Sequence, residues 1–291
     1  SYPKQYTDSD FSGYNSNLDV QKLYNLREGK DSFILGGNFT SEHMKYNYGT
    51  TTKGNNDRDS YSLYQSYDYQ ATDKLSYILG LREYYMSSSK YQDSDFQLLP
   101  QFQALYKLNK NSSYYFNSGK SFEMPAINSG FNYNSSFVVN PDLKPQSGWS
   151  HEFGYKYEDS RRTITADVFY MDVKDKFFWD KDSTGASIMR NRDKWKNTGL
   201  ELNYKQKINA EMTANAGLTI QNPKAQSGSS GWVQDSSKYV LNVGANYNKD
   251  KFKADARVFA YLDREPAYYN YERTSSKIHD HNLADSCDLT V

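Results

Sequence analysis

Apolar and polar residues alternate along much of this chain. One C-terminal segment has its apolar positions at every second residue from Met212 to Ile220, separated by Thr, Asn and Gly residues. The same period of two recurs from Tyr239 to Tyr247 and from Phe252 to Leu262. Successive side chains of a β-strand point to opposite faces, so this pattern predicts strands with one apolar and one polar face. We expect Ala214, Leu218, Val243, Ala256 and Val258 on the outer face of a barrel, and Lys253, Asp255 and Arg257 inside.

Applied to the whole chain, the alternation predicts about thirteen strands. They lie near residues 15–27, 31–45, 59–71, 74–86, 96–108, 112–120, 147–158, 161–176, 187–206, 211–221, 236–248, 251–263 and 281–291. The connections between them alternate between short polar turns, such as "LNKN" and "INAE", and long segments at 46–58, 87–95, 121–146, 177–186, 222–235 and 264–280. Short turns on one edge and long loops on the other are typical of an outer-membrane β-barrel. The predicted fold class is therefore an all-β, antiparallel transmembrane barrel with short periplasmic turns and long extracellular loops.

Composition agrees with this fold class but does not decide it. Hydrophobic residues make up 37% of the 291 residues, while aromatic residues reach 16% and include 28 tyrosines. A disordered chain would be poor in aromatic residues. A transmembrane barrel has a low hydrophobic content because only alternate residues face lipid. A secreted all-β domain would share most of this composition. Within a barrel, tyrosines at the strand ends would form an aromatic girdle at the membrane interface. These tyrosines are Tyr24, Tyr106, Tyr157, Tyr204 and Tyr247.

Charge and reactive residues exclude several functions. The 35 basic and 35 acidic residues cancel, so no electrostatic argument favours a nucleic-acid partner. The single cysteine, Cys287, does not provide a disulfide framework. The four histidines are scattered and form no catalytic or metal-binding motif. We therefore predict no enzyme activity, no cofactor and no metal site. The polar opening of the chain contains no signal peptide.

One loop carries a pattern that resembles a known family. The segment "GKSFEMP" is followed about twenty residues later by "NPDLKP" and then by the alternating stretch "WSHEFGYKY". A later segment reads "NTGLELNY". In this order and spacing, the motifs resemble those of TonB-dependent outer-membrane receptors, except that Gln146 stands where the family usually has Glu. The matching positions are Phe122, Pro125, Asn140, Pro141, Leu143, Pro145, Glu152, Gly154, Gly199 and Glu201.

The resemblance implies a barrel of twenty-two strands closed around an N-terminal plug. If the loop with NPDLKP is the seventh extracellular loop of the family, residues 1–291 form one partial barrel domain that supplies strands eight to twenty. The plug, the early strands and the last strands would then be absent. The implied function is TonB-dependent uptake of an iron-siderophore or a similar scarce ligand. The implied partners are that ligand, the TonB complex through the missing plug, and outer-membrane lipid.

The long loops contain aromatic residues and arginines that lipid contact and turn formation do not require. Aromatic rings and guanidinium groups suit a planar anionic ligand such as a ferric catecholate. Packing of the loops on one another would explain these residues equally well. Haem is disfavoured, because residues 126–139 contain no histidine, where haem receptors of the family usually have one. The candidate ligand-binding residues are Tyr133, Trp179, Arg190, Arg192, Trp232, Tyr268, Tyr269 and Arg273.

Two other functions remain open at this stage. A passive porin would share the strand pattern but would have an open lumen and no plug. A surface adhesin or soluble β-sandwich would share the composition, although Greek-key crossings would not preserve the regular alternation of short and long connections.

Overall fold

The computed structural model describes residues 9–48, 52–89, 92–127, 137–226, 231–264 and 286–290. These residues form β-strands joined by turns and loops, with one short 3-10 turn at Arg27–Gly29. Within them, no helix is long and apolar enough to span a membrane. The strands are β1 (Ser9–Leu26), β2 (Asp31–Tyr48), β3 (Thr52–Gln70), β4 (Leu75–Met86), β5 (Asp95–Lys107), β6 (Ser112–Glu123), β7 (Phe137–Val138), β8 (Gln146–Glu158), β9 (Arg162–Lys181), β10 (Ser187–Lys207), β11 (Met212–Gln221), β12 (Lys224–Gln226), β13 (Trp232–Gln234), β14 (Tyr239–Lys249), β15 (Phe252–Leu262) and β16 (Ser286–Thr290).

The strands form a single antiparallel meander. Its order is β1-β2-β3-β4-β5-β6-β8-β9-β10-β11-β14-β15-β16, so each strand of this path pairs with the next one. The short strands β7 and β12 pair with β10, and β13 pairs with β12. Among the described residues β1 and β16 do not pair with each other, so the sheet is open. The path confirms the thirteen predicted main strands and the all-β antiparallel fold class.

Register places the apolar positions of neighbouring strands opposite one another. Leu218 lies opposite Leu241, and Val243 lies opposite Val258. Asp255 and Arg257 belong to the alternate set, because Asp255 lies opposite Asn246. We call these two sides the apolar face and the polar face. Register confirms that Ala214, Leu218, Val243, Ala256 and Val258 share one face, with Lys253, Asp255 and Arg257 on the other. That the first face is the outer one stays a prediction.

The apolar face is uncovered in the described part of the chain. Val243 exposes 59% of its surface, Phe153 exposes 52% and Val168 exposes 51%, although all three lie in the middle of long strands. A soluble protein rarely leaves so large a continuous apolar surface in contact with water. A barrel wall does, because lipid covers that face.

Four short turns share one side-chain device. The side-chain oxygens of Thr72, Asn109, Asp159 and Asn209 each accept a hydrogen bond from the backbone N–H two residues further on, at 2.8 to 3.2 Å. Such Asx and ST turns fix a tight reversal without requiring glycine. The same four turns place Asn, Asp or Thr at one position, so the sequence carries this signal.

Asp159 is the most strongly held of these turn residues. Its carboxylate accepts hydrogen bonds from the backbone N–H of Arg161, from the Tyr157 hydroxyl at 2.8 Å and from the Arg162 guanidinium at 2.8 Å. These donors hold the pKa of the Asp159 carboxyl well below its usual range, and the Arg161 N–H makes the largest contribution.

The first turn, "REGK", is built differently. Arg27 and Glu28 have positive φ angles of 47° and 58°, and Gly29 follows at 85°. Asp31, which is only 2% exposed, accepts hydrogen bonds from the Arg27 guanidinium and, at 2.7 Å, from the Tyr67 hydroxyl. The ion pair thus braces a strained turn, and the hydrogen bonds of Tyr67 and Gln70 tie the turn to β3.

The predicted long connections are shorter than expected in several places. β2 continues to Tyr48 and β3 begins at Thr52, so most of the predicted loop 46–58 is strand. β9 likewise extends to Lys181 and β10 begins at Ser187. Residues 52–58 are polar apart from Gly54, and residues 177–179 are three consecutive aromatic residues, so neither stretch alternates between apolar and polar residues. The predicted loops 121–146 and 222–235 contain the short strands β7, β12 and β13, whereas 265–285 lies outside the described residues.

Candidate functional site

The Phe-x-x-Pro element after β6 is attached to the wall of the sheet. The Phe122 ring lies 4.7 Å from the Tyr84 ring in β4. Pro125 is fully buried, and its carbonyl accepts a hydrogen bond of 2.6 Å from Arg58 in β3. Arg58, itself 7% exposed, is held by Glu42 of β2 at 2.6 Å. A buried cation that is paired and hydrogen-bonded in this way fixes the backbone at Pro125.

Ile127 adds a second contact at this attachment. Its carbonyl accepts a hydrogen bond of 3.0 Å from the side-chain amide of Asn56, which is 1% exposed. We call the contacts of Phe122, Pro125 and Ile127 with β3 and β4 the first anchor.

The NPDLKP element is attached to β10. The Asn140 amide donates a hydrogen bond of 2.9 Å to the Met189 carbonyl. The Asn191 side-chain amide forms two hydrogen bonds with the backbone of Lys144. It accepts one from the Lys144 N–H and donates one to the Lys144 carbonyl, both at 2.7 Å. Leu143 is buried beneath them, at 7% exposure. We call this attachment, which includes the buried Pro145 and the exposed Pro141, the second anchor.

The two anchors lie far apart in the sheet. The first is on β3 and the second is on β10, six steps away along the strand order. The two described ends of this loop are therefore attached to strands that are well separated in the sheet. Within NPDLKP the Leu143 N–H donates a hydrogen bond of 3.3 Å to the Asn140 carbonyl, which closes a turn, and the two prolines restrict the backbone where the segment descends to β8.

The β9–β10 hairpin carries three of the sequence-predicted site residues, and register places Trp179, opposite Met189, and Arg190, opposite Phe178, on alternate faces of it. Trp179 is 48% exposed, and Phe137 of β7 meets its ring edge-on at 5.9 Å. Arg190 pairs with Asp180 at 3.4 Å across the hairpin, and Arg192 lies two residues further along the same strand. This hairpin therefore carries a partly exposed indole and two arginines next to the second anchor.

The tip of this hairpin is fixed by Asp182. Its carboxylate accepts hydrogen bonds from the Thr184 hydroxyl at 2.7 Å and from the Ala186 N–H at 2.9 Å. These bonds lower the pKa of the Asp182 carboxyl, and the bond from the Thr184 hydroxyl makes the largest contribution.

A second cluster links the β12–β13 segment to the hairpin. Asp235 accepts a hydrogen bond of 2.8 Å from the Trp195 indole N–H, and Lys176 pairs with the same oxygen at 3.2 Å. Sequence analysis missed these three residues. Asp235 is 59 residues from Lys176 and 40 residues from Trp195 along the chain, and nothing in the local pattern marks the three residues as partners.

Trp232 is not part of the hairpin cluster. Its ring lies 4.1 Å from the amine of Lys196. Register places Lys196 on the same face as Leu200, the apolar face. The structure thus places Trp232 against Lys196. The remaining candidates, Tyr133, Tyr268, Tyr269 and Arg273, lie outside the described residues, as does the side chain of Arg192.

The later motif positions lie on the polar face in two neighbouring rows. Phe169 of β9 lies opposite both Glu152 and Gly199, while Asp167 lies opposite both Gly154 and Glu201. The Phe169 ring lies over Gly199, where an added Cβ would come within 2.5 Å of it. The glycines of these motifs therefore leave room for aromatic rings lying flat on the wall.

Asp167 completes an acidic cluster that the sequence did not single out. It is 9% exposed and shares the Tyr115 hydroxyl with Glu152. The Tyr115 ring also lies over Gly154, in the space that a Cβ would occupy. The charged motif positions thus form part of a connected polar network on one face.

Comparison with known proteins decides the family. The family model described as TonB dependent receptor-like, beta-barrel, matches residues 1–285. The chain belongs to the TonB-dependent receptor family. Barrels of this family are outer-membrane proteins with an apolar outward-facing band and long extracellular loops.

Solved structures show the same fold at low sequence identity. The copper transporter OprC is 15% identical with a TM-score of 0.70, over 90% of this chain and 45% of OprC. The ferric yersiniabactin uptake receptor FyuA from Yersinia pestis is 16% identical with a TM-score of 0.67, over 97% of this chain and 46% of FyuA. The ferric-catecholate import receptor Fiu from E. coli K12 is 16% identical with a TM-score of 0.64, over 88% of this chain and 45% of Fiu. This chain therefore spans less than half the length of each of these proteins.

Proposed function

We propose that the full-length protein is an outer-membrane receptor for TonB-dependent uptake of an iron-siderophore or a similar scarce ligand. The observation that carries the proposal is the family match over nearly the whole chain. Receptors of the same fold include proteins for ferric yersiniabactin, ferric catecholate and copper. In this proposal, a plug outside these residues closes the barrel and connects it to the TonB complex, and residues 1–291 form one partial barrel domain.

Ligand binding is assigned to the extracellular mouth. Trp179 offers an exposed flat surface, while Arg190 and Arg192 supply positive charge next to the second anchor. Guanidinium groups suit an anionic chelate through charge-assisted hydrogen bonds, and a Trp ring offers a flat contact surface on the alternate face of the hairpin. Tyr133, Tyr268, Tyr269 and Arg273 would complete this surface from the other long connections. Trp232 is the weakest of the candidates because its ring lies against Lys196.

The test is ligand binding by purified full-length receptor. Ferric enterobactin and ferric yersiniabactin serve as the catecholate and phenolate probes, with binding followed by quenching of tryptophan fluorescence. The double variant Arg190→Ala, Arg192→Ala should bind the recognised chelate about 100-fold more weakly, since each charge-assisted hydrogen bond contributes roughly 1.5–3 kcal/mol.

The matched control is Arg161→Ala, Arg162→Ala, which removes the same charges at the opposite rim. Equal weakening in both double variants would show a general effect of charge and would contradict the assigned site. Full affinity in the Arg190 and Arg192 variant would do the same. Tight binding of haem instead of either chelate would overturn the proposed ligand class.

A further inference from the structure

Four lysines share the apolar face of the sheet near its extracellular edge. Lys174 of β9 lies directly opposite Lys194 of β10. One step away on the same face, Lys196 of β10 lies directly opposite Lys224 of β12. We call these residues, Lys174, Lys194, Lys196 and Lys224, the lysine patch.

Two facing pairs of like charge are unfavourable. Side chains directly opposite each other on one face have Cβ atoms about 4.5–5.5 Å apart, and like charges at such positions repel. Among the residues that the structure describes, no carboxylate forms an ion pair with any of the four lysines. The nearest acidic position is Asp172, opposite Lys196, and its buried Oδ1 has no hydrogen-bond partner. Four positive charges therefore face one carboxylate.

The patch lies just beyond the apolar band of the wall. Along β9 the apolar face runs from Ile164, which lies opposite Tyr157 and Tyr204, through Val168 to Lys174. Ten residues at about 3.3 Å each, tilted by about 40°, rise roughly 25 Å along the membrane normal, which is the height of the apolar band of such barrels. The lysines thus stand at the level of the outer headgroups.

Amphipathic rings border the patch on its membrane side. Trp149 lies opposite Asp172, and its ring stacks on His151 at 5.8 Å, which in turn stacks on Tyr170 at 6.3 Å. Rings of this kind prefer the membrane interface. On the other side, Trp232 holds the Lys196 amine at 4.1 Å.

We propose that the lysine patch binds phosphorylated lipid headgroups of the outer leaflet. Phosphate groups would neutralise the two facing lysine pairs, and the acyl chains of the same lipid would cover the apolar face directly below. The interfacial rings would set the depth of the headgroup. This inference rests on the proposed placement of the receptor in the outer membrane.

The experiment measures lipid binding by purified full-length receptor in dodecyl maltoside. Bisphosphorylated lipid A is titrated against wild type and the double variant Lys174→Gln, Lys194→Gln, with native mass spectrometry as the readout. The variant should bind about 30-fold more weakly, about fivefold for each lysine. Without lipid, its melting temperature should equal or exceed that of wild type, because the substitution removes a repulsive pair.

The matched control is Lys107→Gln, Lys207→Gln at the ends of β5 and β10 on the short-turn edge, and its lipid affinity should match wild type. Unchanged lipid affinity in the patch variant would overturn the inference, and so would a lower melting temperature without lipid, which would indicate a structural role. If millimolar inorganic phosphate raised the melting temperature of wild type as much as lipid A does, the inference would be overturned in favour of a site for any anion. Fractionation of the receptor away from the outer membrane would instead refute the placement on which the inference rests.

Discussion

An arginine at Val243 tests the assignment of the two faces. Val243 is 59% exposed and lies opposite Ala216 and Val258 on the apolar face. Four residues separate it from Tyr239 at one end of β14 and four from Tyr247 towards the other. At about 3.3 Å per residue and a tilt of about 40°, each interval corresponds to roughly 10 Å along the membrane normal, which places Val243 near the bilayer midplane.

A charge at that depth is costly. Val243→Arg should destabilise the membrane-inserted barrel by about 2–4 kcal/mol, which corresponds to a factor of roughly 30 to 1000 in the folding equilibrium. The matched control is Asn215→Arg, on the polar face opposite Gly244, where the side chain stays in water. Its cost should be below about 1 kcal/mol.

The assay is folding of the full-length receptor from urea into phosphatidylcholine vesicles. The folded fraction is measured by heat modifiability on gels, and the stability by equilibrium unfolding in guanidinium chloride. Equal folded fractions for the two arginine variants would refute the face assignment. A larger loss for Asn215→Arg would show that the polar face is the one in contact with lipid.

Three further predictions concern the turns and the motif glycines. Because the folded pKa of Asp159 is depressed, its stabilising effect is present above its unfolded pKa of about 3.9 and is lost as the pH falls below that value; in Asp159→Asn the melting temperature should therefore fall less between pH 6 and pH 3 than in wild type. Gly199→Ala should cost about 1–3 kcal/mol in guanidinium unfolding, because its Cβ would lie 2.7 Å from the Ile220 carbonyl, whereas Gly119→Ala, whose nearest neighbour is at 3.7 Å, should be close to neutral. Asn209→Ala should cost roughly 1 kcal/mol in the same assay through loss of the turn hydrogen bonds, and Asn209→Asp should not.

The wall of the barrel was predictable because its signal is local. A period of two specifies which side chains share a face, and a one-residue slip would move Val243 to the polar face, so register follows from the same pattern. The short turns were equally visible, since Asn, Asp or Thr stands at the same position in four of them. The additional strand residues of β3 (52–58) and of β9 (177–181) were not predictable from this pattern, because the first stretch is polar and the second begins with three consecutive aromatic residues.

At the edge with the long connections, the sequence predicted which residues to consider but not how they contact one another. Arg58 reaches Pro125 across 67 residues, and Trp195 reaches Asp235 across 40. These contacts depend on which strands are neighbours and on how far each one extends, which alternation does not specify. Trp232 shows the consequence, since its loop position suggested the mouth while the pairing of β12 with β10 places it beside Lys196.

Two attachments in the structure give the Phe-x-x-Pro and NPDLKP motifs a physical meaning. Phe122 and Pro125 fix one end of the loop on β4 and β3, and NPDLKP fixes the other end on β10. Both ends are held by buried side chains and backbone hydrogen bonds. The motif is therefore primarily an attachment of a long loop, and ligand contact is assigned to the hairpin beside it.

The central claim is that this barrel belongs to an energised importer. Uptake of iron-55 as the ferric siderophore should be measured in iron-starved cells that express the full-length receptor, with an otherwise identical strain lacking TonB for comparison. The account predicts saturable uptake that depends on the receptor and disappears without TonB. Uptake that continues at the same rate without TonB would contradict it and would indicate a passive pore.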